Sequence, residues 1–201
     1  MKKNSLTISG AILSGGKNLR ISGKNKAFLQ MDRTPIIQKT INLFKEIFSE
    51  IILVTNQPED YKQYRKDCII VKDVVRGIGP LAGIATGLSQ SSGESVFFVA
   101  CDMPFLHNDM IRYELDVFQK TNCDAFVPRM GSFIEPLHAV YRKNLKDRIF
   151  SFIENSSDYS IRSFLQTVNT FYWDLEDNIF HRSIFSNINT PEELRKAQDL
   201  L

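Results

Sequence analysis

Ile8-Ser9-Gly10-Ala11-Ile12-Leu13-Ser14-Gly15-Gly16-Lys17-Asn18-Leu19-Arg20-Ile21-Ser22-Gly23-Lys24-Asn25-Lys26-Ala27-Phe28-Leu29-Gln30-Met31 is the stretch around which the chain is organised. An apolar run that reads as a buried strand stops at Ser14-Gly15-Gly16. Four basic side chains follow, and the first carboxylate of the whole chain is Asp32. Glycines let backbone N–H groups approach an anion closely, and Lys and Arg neutralise polyphosphate oxygens. The stretch therefore reads as a phosphate-cradling loop, although a plain turn with solvated basic residues has the same local pattern. It matches neither Gly-x-x-x-x-Gly-Lys-Ser/Thr nor Gly-x-Gly-x-x-Gly, so it is neither a P-loop nor a dinucleotide fingerprint.

Outward from this loop, strands and helices alternate. Leu6–Leu13 reads as the first strand, and Thr34-Pro35 opens a helix with Pro in its first position. Ile36, Ile37, Thr40, Ile41, Phe44, Ile47 and Phe48 recur on one face of that helix. Ile51–Asn56 is a second strand, Asp60–Arg65 a short polar helix, and Cys68–Lys72 a third strand ending at Asp73. Gly79-Pro80 leads into a helix in which Gly83 and Gly87 share a face, suited either to close packing or to a ligand. The most apolar strand, Ser95–Cys101, ends in Asp102-Met103-Pro104. A carboxylate there is where open α/β sheets place ligand chemistry, and a solvated turn aspartate before Pro is the competing reading.

Beyond a helix over 107–120 and a strand at Ala125–Pro128 the pattern loosens. Glu135–Tyr141 reads as a strand, 143–154 and 160–168 as helices, and Thr170–Leu175 and Ser183–Asn189 as strands. Thr190-Pro191-Glu192-Glu193 has the form of a capping box before a C-terminal packing helix. The alternation implies an α/β, three-layer, mostly parallel Rossmann-like sheet with helices on both faces, in a single domain over residues 1–201. Such a sheet brings the cationic loop, Asp73 and Asp102 to one edge.

A net charge of +2 over 201 residues is too small to argue for nucleic-acid or membrane binding, and neither is expected as a partner. Cys68, Cys101 and Cys123 stand singly in apolar surroundings, which suits free thiols in the cytoplasm. His107, His138 and His181 lack metal-ligand spacing. The aromatic groups Phe150/Phe152 and Phe171/Tyr172/Trp173 read as core.

In order along the chain stand Leu13-Ser14-Gly15-Gly16, Arg20, Gly23-Lys24-Asn25-Lys26, Gly79-Pro80-Leu81-Ala82-Gly83, Cys101-Asp102-Met103-Pro104-Phe105, Glu135-Pro136-Leu137 and Asn187-Ile188-Asn189-Thr190-Pro191-Glu192-Glu193. This set resembles the molybdenum cofactor guanylyltransferase family, within the wider group of nucleotidyltransferases that includes sugar-nucleotide pyrophosphorylases. The resemblance implies a nucleotide-diphospho-sugar transferase-like fold and transfer of GMP from GTP to molybdopterin-bound molybdenum, with Mg²⁺ present and pyrophosphate released. It implies GTP on the backbone of Leu13, Ser14 and Gly15 and on Lys26, with Asn56 and Asp73 also used. Asp102 becomes the metal ligand, Arg20, Lys26 and Asp102 the catalytic set, and Asn187 and Asn189 the pterin side. Other cofactor-synthesis proteins or molybdoenzymes are the implied partners. A nucleotidyltransferase for another NTP or acceptor, and a binding module without turnover, remain open alternatives. Two departures stand out: the family's Leu-Ala-Gly-Gly is Leu13-Ser14-Gly15-Gly16, and its Arg-Met-Gly-x-Asp-Lys is Arg20-Ile21-Ser22-Gly23-Lys24-Asn25-Lys26. The latter has one residue more between Arg and Gly, and Asn for Asp.

Overall fold

A computed structural model describes residues 7–15, 20–21, 24–75, 77–190 and 192–195, with the side chains of 20, 21 and 24 outside that description. The elements are β1 (Ile8–Ser14), β2 (Arg20–Ile21), β3 (Lys24–Asn25), β4 (Gln30–Met31), β5 (Thr34–Pro35), α1 (Ile36–Ile47), β6 (Ile51–Thr55), β7 (Ile69–Lys72), α2 (Pro80–Gln90), β8 (Ser95–Ala100) and α3 (Asn108–Phe118). There follow β9 (Ala125–Met130), β10 (Phe133–Ile134), β11 (His138–Arg142), α4 (Leu145–Asn155), α5 (Ile161–Leu165), β12 (Thr170–Asp174) and α6 (Ile179–Ile184). Two 3-10 turns, Lys26–Phe28 and Pro58–Tyr64, complete the set.

Strand residues alternate between two cores, as a sheet covered on both faces requires, with Ala100 at the end of β8 the exception. Ile12, Leu53, Phe97, Val99, Phe126 and Val140 face a core shared with Ile37, Ile41 and Phe44 of α1 and Ile111 and Leu115 of α3. Ala11, Leu13, Ile52, Val54, Val96 and Phe98 face the other, closed by α2, α4 and α5. Gly87 is explained by packing: a Cβ there would come within 2.6 Å of the Phe98 ring. Gly79, just before α2, has φ +93°, a backbone conformation that side chains resist.

The central sheet is mostly parallel. β1 pairs in parallel with β6 and β8, β6 with β7, and β9 with β12. β11 runs antiparallel between β8 and β9, and the short β10 turns back on β9. The parallel registers place Ser14 opposite Thr55, Thr55 opposite Lys72 and Leu13 opposite Ala100, so four strands finish level at one edge.

Three expectations need correction. Ser183–Asn189 is not a strand: α6 ends at Ile184, and the buried residues Ile184, Phe185 and Ile188 do not alternate. The Asn178 side chain starts that helix by accepting the His181 N–H at 2.9 Å. Pro35 is the N-cap of α1 rather than its first residue, because Thr34–Pro35 pairs with Gln30–Met31. The segment expected as a short polar helix is a 3-10 turn over Pro58–Tyr64 that buries Tyr61 and Tyr64, three apart as 3-10 geometry aligns them. The expected C-terminal helix is described only over residues 192–195, where it is helical; residues 196–201 lie outside. Its capping box is formed: the Glu193 carboxylate accepts the N–H groups of Asn189 and Thr190, and Thr190 Oγ1 accepts the Glu193 N–H at 3.1 Å. Among the described residues no helix is long and apolar enough to cross a membrane.

Candidate active site

The level strand ends open onto a cleft of about 480 Å³. The residue after β1 is Gly15, after β6 Asn56, after β7 Asp73, and Cys101-Asp102 follow β8; all line the cleft, as does Leu13. These side chains are far apart in sequence, and parallel register alone makes them neighbours. Gly15 lies beside the Asn56 amide, 3.5 Å from where its Cβ would stand. The opposite wall is the turn Gly77–Pro80 at the start of α2.

Asp73 is held by its surroundings. The Thr86 hydroxyl of α2 is 2.9 Å from Asp73 Oδ1, and the Val75 N–H approaches the same oxygen at 3.4 Å. Partial burial pushes its carboxyl above the ordinary aspartate value, opposed by these hydrogen bonds.

Lys26 joins the site from the first 3-10 turn. Its ammonium is buried, 2.7 Å from Asn189 Oδ1 and 3.3 Å from Asp102 Oδ2. The Asp102 side chain keeps 18% of its surface exposed against 5% for Lys26. The C-terminal segment is tied in by its backbone, since the Ile188 N–H donates to the Asp102 carbonyl at 3.0 Å. Thus Lys26, Asp102 and Asn189, three of the residues singled out in the sequence, meet directly. Asn187 Oδ1 is buried with no hydrogen-bond partner among the described residues. Ser14, between two cleft residues, is not itself part of the cleft lining: it is fully buried and its side chain hydrogen-bonds to Tyr61. The Arg20 side chain, Gly16 and Gly23 lie outside the described residues.

Glu135 had no role assigned from sequence, although Glu135-Pro136-Leu137 was singled out as a motif. It is 6% exposed and accepts the N–H of Leu137, a cleft residue, at 3.1 Å. Burial pushes its carboxyl up to about 7; the Leu137 N–H and His138 oppose this, while Asp102 adds to it. A carboxylate set against Pro at the head of an apolar run was the available signal. Among the described residues no group of three or more His, Cys, Asp or Glu is placed to hold a metal ion.

A family model described as MobA-like NTP transferase domain matches residues 10–171. A probable molybdenum cofactor guanylyltransferase of Peptoclostridium acidaminophilum is 37% identical over 198 residues, spanning 94% of this chain and 87% of the relative. Another probable one, from Clostridium perfringens strain 13, is 32% identical over 191 residues, spanning 92% of this chain and 93% of that one. Among solved structures, molybdopterin-guanine dinucleotide biosynthesis protein A of Archaeoglobus fulgidus superposes with a TM-score of 0.79, covering 96% of this chain and 97% of that one. At 23% identity this last likeness is one of fold.

Proposed function

Since the chain belongs to the MobA-like NTP transferase family, we propose that it is a molybdenum cofactor guanylyltransferase, one domain that transfers GMP from GTP to molybdopterin-bound molybdenum. The observation that carries this reading is the arrangement of Leu13, Gly15, Asn56, Asp73 and Asp102 around one cleft, with Lys26 held against Asp102. In the reaction a phosphate oxygen of molybdopterin forms a bond to the α-phosphorus of GTP. The bond from that phosphorus to the α,β-bridging oxygen breaks, and pyrophosphate leaves with the electron pair.

Such a transfer needs positioning and charge neutralisation more than covalent participation by the protein. The backbone of Leu13, Ser14 and Gly15 cradles the nucleotide, with Asn56 and Asp73 fixing it from the neighbouring strand ends. Lys26 and Arg20 stabilise negative charge on the departing pyrophosphate. Asn189, its carbonyl oxygen held by Lys26, keeps its NH₂ for the acceptor, and the unpartnered Asn187 Oδ1 lies two residues away in the same segment. Mg²⁺ takes one or two carboxylates together with phosphate oxygens, and Asp102, part-exposed with one oxygen toward Lys26, has donor chemistry that fits it. When bound, the ion supplies further neutralisation of the triphosphate. The three cysteines are free and buried, as suits a reducing compartment, and a cytoplasmic location is part of the proposal.

The test is pyrophosphate release with each of the four NTPs, Mg²⁺ and molybdopterin. Release confined to GTP with molybdopterin is the expected result. Release with CTP instead, or GTP binding without release, overturns it.

A further inference from the structure

We propose that Tyr61 is a positioning residue for the nucleotide site, its phenol clasping the end of β1 to the turn that carries Lys26. The proposal rests on the nucleotidyltransferase reading and adds to it a residue outside the glycine-rich stretch. Tyr61 is fully buried in the second 3-10 turn. Its hydroxyl meets the hydroxyl of Ser14, where β1 ends, and lies 2.9 Å from Asn25 Nδ2. Ser14 and Asn25 flank the glycine-rich loop on its two sides, so one phenol ties both flanks.

The other half of the Asn25 amide extends the clasp. Its Oδ1 accepts the Ala27 N–H at 3.1 Å, which caps the turn Lys26–Phe28. The Tyr61 ring packs on Phe28 of that turn, with ring centroids 5.0 Å apart. Two segments at the site, the end of β1 and the Lys26 turn, therefore converge on this buried network.

Donor chemistry sets how Asn25 serves this network, and shows that the Asp of the family pattern it resembles could serve it too. Because Asn25 Oδ1 accepts from Ala27, its NH₂ is the group directed at Tyr61 and can only donate. The phenol then accepts from Asn25 and gives its own proton to Ser14. An aspartate would accept from Ala27 and from the phenol, and Ser14 would donate to the phenol instead. Either residue links the Ala27 N–H to the phenol, and an apolar one does not.

The experiment compares Tyr61→Phe, Asn25→Asp, Asn25→Ala and the Tyr61→Phe/Asn25→Ala pair with the wild-type enzyme. Tyr61→Phe removes one oxygen and is expected to lower kcat/KM for GTP about tenfold, mainly through KM for GTP and with KM for molybdopterin unmoved. Asn25→Asp stays within about twofold of wild type, Asn25→Ala falls as far as Tyr61→Phe, and the pair falls no further than either alone. Exchange of the Ala27 amide hydrogen is faster in Tyr61→Phe and Asn25→Ala and unchanged in Asn25→Asp, a readout independent of turnover. Wild-type GTP kinetics in Tyr61→Phe, penalties that add, or unaltered Ala27 exchange overturns the clasp. A wild-type enzyme inactive with GTP counts against the functional reading alone, and the exchange result still decides the clasp.

Discussion

Lys26 and Asp102 meet at the edge of the sheet, whereas His138 and Glu114 meet inside it. At the edge, the ammonium has two acceptors and the carboxylate keeps part of its surface open. In the interior, both side chains are fully buried, with His138 Nδ1 3.2 Å from Glu114 Oε2 but unaligned for a hydrogen bond. The rings of Phe97 and Phe185 stand edge-on to the imidazole, 5.0 and 5.1 Å away, and burial pushes the Glu114 carboxyl upward against the pull of His138. A carboxylate that stays part-solvated can hold charge for a ligand. An enclosed one is driven toward its neutral form and serves packing. Position relative to the strand ends, not residue type, separates the two roles.

The comparison breaks most visibly at Asp102. Asp102→Ala is expected to cost at least about a thousandfold in kcat with the circular dichroism spectrum unchanged. Full turnover in that variant would remove Asp102 from the chemistry. Lys26→Ala has a smaller effect, about a hundredfold, seen mainly in use of GTP.

The interior pair should respond in the opposite currency, stability without activity. His138→Leu leaves the buried Glu114 carboxyl facing an apolar neighbour and is expected to cost about 2 kcal/mol in urea unfolding, with kcat per folded molecule unchanged. Replacing both, His138→Leu with Glu114→Leu, restores most of that loss. A double variant no more stable than the single one would show that the stranded Glu114 carboxyl is not the source of the loss.

Glu135 lies between these extremes, buried yet beside the cleft, and pH sharpens its place. Its carboxyl titrates near 7 when folded against an ordinary value of 4.5. The folded chain therefore holds the proton more tightly than the unfolded chain. That contribution to stability is full below about pH 4.5 and is lost as pH rises through 7. Glu135→Gln, which keeps an acceptor for the Leu137 N–H, should be little changed relative to wild type at pH 4.5. At pH 8 it should be more stable by up to about 3 kcal/mol. A stability difference independent of pH, measured by unfolding at both values, would refute the raised carboxyl.

Much of this was legible in the chain. β1, β6, β7 and β8 stand where their apolar runs stop, and Gly15, Asn56, Asp73 and Asp102 follow them into one cleft. The failures have a common cause. Ser183–Asn189 carries β-compatible residues, but a cap at Asn178 and the burial of Ile184, Phe185 and Ile188 make it the end of a helix and an irregular segment. Tyr61 sits among Pro58, Glu59, Asp60 and Lys62, so its neighbours in sequence are mostly polar while in space its ring is buried in an apolar core.

By itself the sequence determined the alternation of strands and helices, the glycine-rich basic stretch from Ser14 to Lys26 and the carboxylates at strand ends. Hydrophobic period and glycine chemistry act over a few residues and can be read from them. Only the tertiary structure decided that β11 runs against its neighbours, that Asn189 reaches across to Lys26, that Glu135 is buried and that Tyr61 joins Ser14 to Asn25. Those outcomes depend on long-range register and on what surrounds a polar atom once the chain has closed, neither of which a local pattern contains.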